Sequence, residues 1–147
     1  MADSFFKVEL RGIEELKRII DTLPDKVKKK VAREGSAVPA RALRKELVKN
    51  TPVYTGKMKK SWRVSVRILS RYVRARVINI ARHAHLVELG TKPRRRKNGA
   101  STGQMIANPF ARNTFHAMRN QLIQMSIEGM RLAIVKHIGK ITRGPGR

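Results

Sequence analysis

The chain of 147 residues contains no cysteine, which excludes disulfide scaffolds and cysteine-ligated zinc sites. Aromatic residues make up only 5%, too few for a surface that holds nucleic acid by stacking bases. No run of about 18 apolar residues occurs, so no transmembrane helix and no membrane partner is expected. The opening MADSFFKVEL has no basic stretch followed by an apolar one, so no secretory signal is expected. Acidic residues are the other shortage. There are 10 Asp+Glu against 34 Lys+Arg, a formal charge of +24. Beyond residue 46 the only acids are Glu88 and Glu128.

What is present is a core-forming fraction, with 41% hydrophobic residues, and a cationic surface suited to a polyanion or an acidic protein face. Phe5–Leu10 has the period-two pattern of a short strand, with Phe6, Val8 and Leu10 on one face. Ile13, Leu16, Ile19 and Ile20 recur at helical spacing. A second helix is expected from Asp25 to about Asn50, with a kink or break near Ser36–Pro39, because proline is costly inside a helix. Thr51–Gly56 is turn chemistry.

Trp62–Ile68 and Tyr72–Ile78 alternate and read as an antiparallel hairpin. Its polar face would carry Arg63, Arg67, Arg74 and Arg76. A third strand is expected near His85–Leu89. Lys92–Gln104 has no apolar periodicity and carries Lys92, Arg94, Arg95, Arg96 and Lys97. It reads as a basic loop.

Asn108-Pro109 is a good helix start, with Asn108 as cap. The helix that follows is apolar on two sides. Ala111, Phe115, Met118, Leu122, Met125, Gly129 and Leu132 share one face. Ile123, Ile127, Met130, Ile134 and Ile138 share the opposite one, which is expected to pack on a neighbouring subunit. The expected organisation is one α+β domain over 1–138 with a basic loop at 92–104 and a flexible tail at 139–147. In it a small antiparallel sheet packs against a long N-terminal and a long C-terminal helix.

Catalytic chemistry has little support. His83 and His85 would share a face of a strand, but a third metal ligand would have to come from His116, His137 or Glu88, and no local spacing supplies it. Glu88 lacks a second carboxylate or a nucleophile–base pair. Gly90, Gly99 and Gly103 do not form a phosphate-cradling loop. No enzyme activity, metal or cofactor is expected.

Three segments carry a family resemblance. Asn50-Thr51-Pro52-Val53-Tyr54-Thr55-Gly56-Lys57-Met58-Lys59-Lys60-Ser61 resembles the pattern APVxTGxLxxS. His83-Ala84-His85-Leu86-Val87-Glu88-Leu89-Gly90-Thr91 resembles YAxxVExGT. Ala107-Asn108-Pro109-Phe110-Ala111-Arg112 is similar to xxPFLRPA. In this order and spacing they resemble the phage tail-component family of the Hong Kong 97 type, the neck and tail-completion proteins of long-tailed bacteriophages. The sequence departs from the pattern at His83, where a tyrosine stands, and at Ala111, where a bulkier residue stands.

The resemblance implies a structural virion subunit at the head–tail junction, assembled as a ring, with six copies favoured. Its partners would be other neck proteins (head-completion or stopper protein, tail terminator, tail tube) and double-stranded DNA in the channel. Pro52, Thr55, Gly56, Glu88, Gly90, Thr91, Pro109 and Phe110 would be structural motif residues. Glu88 would neutralise hairpin arginines or pair across subunits. Arg63, Arg67, Arg74, Arg76, Arg94, Arg95, Arg96 and Lys97 would meet DNA or an acidic partner. The alternative is a free, non-specific nucleic-acid-binding protein acting through phosphate contacts.

Overall fold

In the computed structural model, residues 13–70 and 72–142 are described. The helix expected from Ile13 is α1 (Ile13–Thr22). Pro24 then ends one helix and opens the next, its carbonyl accepting from the N–H groups of Val27 and Lys28 at 2.8 and 2.9 Å. The expected strand at Phe5–Leu10 lies outside the described residues.

Helix α2 (Asp25–Asn50) is the spine of the molecule and runs unbroken through Pro39. The expected break is absent for a local reason. A helical proline frees the carbonyl four residues back and crowds it, and here that residue is Gly35. Gly35 is also where α2 meets α5 (Phe110–Thr142). A Cβ added at Gly129 would stand 3.2 Å from both the Cα and the carbonyl oxygen of Gly35. Two glycines thus bring the backbones together, and the crossing helix closes over the carbonyl that Pro39 releases. The pair is antiparallel. Asn50 at the end of α2 meets Thr114 near the start of α5, while Glu34 meets Lys136 and His137 near its end.

The short helix α3 (Lys57–Lys60) leads into β1 (Trp62–Ile68), which pairs antiparallel with β2 (Val73–Asn79). Arg67 lies opposite Arg74, and Ser65 opposite Arg76. Directly opposed residues share a face, so Arg63, Arg67, Arg74 and Arg76 form one polar face. The apolar face packs on α2.

The expected third strand is instead helix α4 (Ala84–Leu89). Five residues alternating as His85, Val87 and Leu89 are too few for period to separate strand from helix. The basic loop is a small hairpin, β3 (Arg94–Arg95) with β4 (Ser101–Gly103).

Two apolar clusters lie along α2. One joins Leu16, Val31, Ile127, Ala133 and Ile134. The other joins Leu47, Met58, Trp62 and Phe110. This corrects part of the expected allocation of the faces of α5, although Ala111 and Gly129 of the expected core face pack inward and Ile138 of the other face is 39% exposed. Ile127 and Ile134, expected at a subunit interface, are buried against α1 and α2, with Ile123 and Met130 packed beside them. On the expected core face, Phe115 and Leu132 are 46% and 62% exposed. The Ile-rich face offers branched side chains that fill the space around the glycine crossing, so it is the inner one. α5 also continues to Thr142, so residues 139–142 of the expected tail are helical and 143–147 lie outside the described residues.

Candidate functional site

The three motif segments converge on one corner, at the ends of α2 and α5. The first begins with Thr51, whose buried hydroxyl donates to the carbonyl of Leu47 and accepts the indole N–H of Trp62 at 2.8 Å. Trp62 meets Phe110 edge to face, with ring centroids 6.4 Å apart. Pro52, Val53, Tyr54 and Thr55 wrap the corner, and Gly56 takes a positive φ of 72°. Asn79 donates to the carbonyl of Met58 at 2.9 Å and accepts the N–H of Ala81 at 2.9 Å, which fixes the chain as it leaves the sheet.

The second motif holds the third. Glu88 accepts the backbone N–H groups of Ala111 and Arg112, at 3.0 Å (Oε2) and 2.9 Å (Oε1). Those are unsatisfied donors in the first turn of α5, and a carboxylate there also suits the helix dipole. Glu88 therefore caps α5 from another element. It forms no ion pair among the described residues, which corrects the expectation that it neutralises hairpin arginines. The side-chain cap expected of Asn108 is likewise supplied by Glu88. The N–H of Asn108 donates to Val87 at 2.9 Å instead.

Gly90 has φ 74°, and a Cβ there would sit 2.8 Å from the Ala107 nitrogen and the Met105 oxygen. A glycine is required on both counts. Beside it the Thr91 N–H donates to Met105 O at 2.9 Å, and Met105 N–H donates to the Thr91 hydroxyl at 3.0 Å. These bonds close the base of the basic hairpin as it leaves and re-enters the fold. Within the arm, the Arg96 N–H donates to Ala100 at 2.8 Å, and the Thr102 hydroxyl donates to Arg94 at 3.0 Å.

The cations fall on two carriers. Arg94, Arg95, Arg96 and Lys97 are exposed on the arm, and Arg63, Arg67, Arg74 and Arg76 are exposed on the sheet. None of the eight has an acidic partner among the described residues. Arg74 is held by Tyr72, donating to its hydroxyl at 2.7 Å and stacking 5.6 Å from the ring centre.

Between the turn and the arm lies a hollow of about 360 Å³, lined by residues that include Tyr54, Met58, His83, Val87 and Met105. Its rim is open: Tyr54 is fully exposed and Val53 is 63% exposed. His83 and His85 do not share a face, because α4 is a helix and residues two apart diverge on it. No group of three or more candidate metal ligands occurs among the described residues. No helix among them is long and apolar enough to cross a membrane.

Residues 13–90 match a family model described as "HK97-gp10_like: Bacteriophage HK97-gp10, putative tail-component". The chain belongs to this family of bacteriophage tail components. The matched span covers α1 to α4, the first motif segment and all of the second but Thr91. It stops at Gly90, short of the arm and of the Asn108-Pro109-Phe110 segment. No curated protein and no solved structure gives a match. Membership supports a structural role for the chain as a bacteriophage tail component. Within the fold, the motif residues of such a component serve as a structural knot. They tie the end of α2, the sheet, α4 and the start of α5 together, and leave the arm projecting from it. The role of Glu88 was beyond local reading, since its partners lie 23 and 24 residues away.

Proposed function

We propose that the protein is a non-catalytic neck or tail-completion subunit. It would assemble as a homo-oligomeric ring at the head–tail junction and present its cations to DNA in the channel or to acidic faces of neighbouring rings. The observation that carries this reading is the set of eight exposed, acid-free cations on two rigidly based carriers within a phage tail-component fold. Thr51, Glu88, Gly90, Thr91 and Phe110 of the motifs are engaged in hydrogen bonds, close backbone approach and packing, which favours assembly over catalysis. For the contact between copies, the exposed Leu132 and Val135 of α5, 62% and 71% accessible, take the place of Ile127 and Ile134. They lie on a helix of about 50 Å at 1.5 Å per residue, long enough to bridge to a neighbour.

The test has two parts. The solution mass is followed across a salt series, with and without short duplex DNA. A closed ring, formed alone at raised salt or on DNA, is expected. A monomer that stays monomeric with every neck partner would defeat the ring. Binding to duplex DNA is then compared between the natural chain and a variant with Arg94, Arg95, Arg96 and Lys97 replaced by Gln. If the arm contacts phosphates, the slope of log K against log salt falls by about three to four units. An unchanged slope would move the arm to a protein partner. Tight DNA binding by a salt-independent monomer would favour a free nucleic-acid-binding protein.

A further inference from the structure

Strand β2 has one partner among the described residues, β1. Its other edge borders an apolar trench. The part beside β2 is about 550 Å³, floored by Pro39, Ala40 and Leu43 of α2 and walled by Phe115 and Leu122 of α5. It adjoins a second groove of about 640 Å³ that shares Pro39, Phe115 and Leu122 and is lined on its far side by Leu16, Lys17 and Ile20 of α1.

The ladder fixes which groups of β2 face the trench. Leu69 N–H donates to Tyr72 O at one end of the hairpin, and Ile80 N–H donates to Ser61 O at the other. With the register unbroken between them, the hydrogen-bonded pairs alternate inward from those two. Arg74, Arg76 and Ile78 therefore bond to β1, while Val73, Ala75 and Val77 turn their N–H and C=O groups to the open edge. The same three residues carry apolar side chains on the α2 face of the sheet. Ala75 is exposed there and Val73 and Val77 are only half-buried. An edge unpaired among the described residues invites a strand.

The chain itself carries a strand-patterned segment just before α1 in sequence. Phe5–Leu10 alternates Phe6, Val8 and Leu10 with Lys7 and Glu9. It is joined through Arg11-Gly12 to α1, which already lines the adjoining groove. Six extended residues reach about 20 Å, the length of β2. We propose that residues 5–10 dock along the free edge of β2 as a third strand of the same sheet. Phe6, Val8 and Leu10 then fill the trench over Pro39, Leu43 and Phe115, and Lys7 and Glu9 stay in water. The occupant is the chain's own segment, because it precedes α1, which lines the adjoining groove, and its apolar period matches a one-sided groove.

The absence of native cysteine makes the test direct. Val8→Cys is combined in the full chain with Val73→Cys, Ala75→Cys or Val77→Cys, and each pair is oxidised under mild conditions. One pair is expected to close a disulfide within a monomer, read as a mobility shift on non-reducing gels and a loss of two mass units. Disulfides only between chains would overturn the proposal in favour of strand exchange between copies. Failure of all three pairs would overturn it outright. Amide hydrogen exchange on the unaltered protein is an independent check. Val73, Ala75 and Val77 should be protected as Arg74, Arg76 and Ile78 are. Exchange at the rate of open backbone would refute the docked strand.

Discussion

Replacing Gly35 by alanine isolates the helix crossing on which the fold turns. An alanine in mid-helix normally stabilises by about 1 kcal/mol relative to glycine. Here its Cβ would stand 2.3 Å from the Cγ of Met130 and 3.0 Å from the Met130 nitrogen. Carbon atoms pack at about 3.5–4.0 Å, so the first contact is an overlap of more than an ångström. Met130 can swing its side chain, but that side chain packs against the Leu16–Val31 cluster, and its backbone nitrogen moves only if α2 and α5 separate. Overpacking of this kind costs about 1–3 kcal/mol. Set against the propensity gain, the net expectation is a loss of about 1 kcal/mol.

Gly139→Ala is the control, because a Cβ there meets nothing within 4 Å and should be neutral or slightly stabilising. Urea unfolding followed by far-UV circular dichroism reads both variants. If Gly35→Ala proves as stable as Gly139→Ala, close backbone approach does not govern this crossing, and the account of Pro39 given above falls with it.

Three further outcomes are expected. Glu88→Ala should destabilise by about 1–2 kcal/mol, the range for a lost N-cap, with faster amide exchange at Ala111 and Arg112. Unchanged exchange at those two amides would refute the cap. Thr51→Val leaves the buried Trp62 indole N–H without its acceptor, at a cost of about 1–3 kcal/mol in urea unfolding. A neutral result would mean the indole finds another partner. The Glu34 carboxyl is held below its ordinary value of 4.5 chiefly by its hydrogen bond to Lys136, with His137 adding to the effect and partial burial opposing it. A depressed carboxylate contributes stability above the unfolded-state value and loses it as pH falls through the folded-state one. Glu34→Gln should therefore differ from the natural chain at pH 6 and converge with it as pH falls from 4.5 through the lowered folded-state value. The side chain is 39% exposed, so the difference at pH 6 should be small, at most about 1 kcal/mol.

The elements that sequence reading found share a property: their evidence is local. Val64 and Val66 alternate with Arg63 and Arg67, and one strand suffices to show it. Leu16 and Ile20 fall on one helical face without reference to anything else. The errors are all relational. Pro39 looked like a helix breaker because its penalty is normally counted within one helix, whereas here Gly35 and the crossing at Gly129 decide it. Both faces of α5 are apolar, and only packing on α1 and α2 shows that Ile127 and Ile134 point inward while Leu132 points out. Glu88 stood out as an isolated acid among cations. The donors it satisfies lie across the whole arm, and no spacing rule links a helix-borne carboxylate to a helix start that far along the chain. The arginines of the sheet were placed correctly by period alone. The arm was recognised by composition, but its hairpin form depends on the tie between Thr91 and Met105.

That tie has a consequence for energetics. A flexible cationic segment loses conformational freedom when it settles on a polyanion, and the loss subtracts from affinity. In this arm the two ends are already held together by the two hydrogen bonds between Thr91 and Met105, one of them to the Thr91 hydroxyl, so most of the loop-closure entropy is spent when the chain folds. What remains to be ordered on contact is the set of arginine side chains at its tip. On the proposed reading, the arm would settle on and leave a charged surface with little change in the fold beneath it.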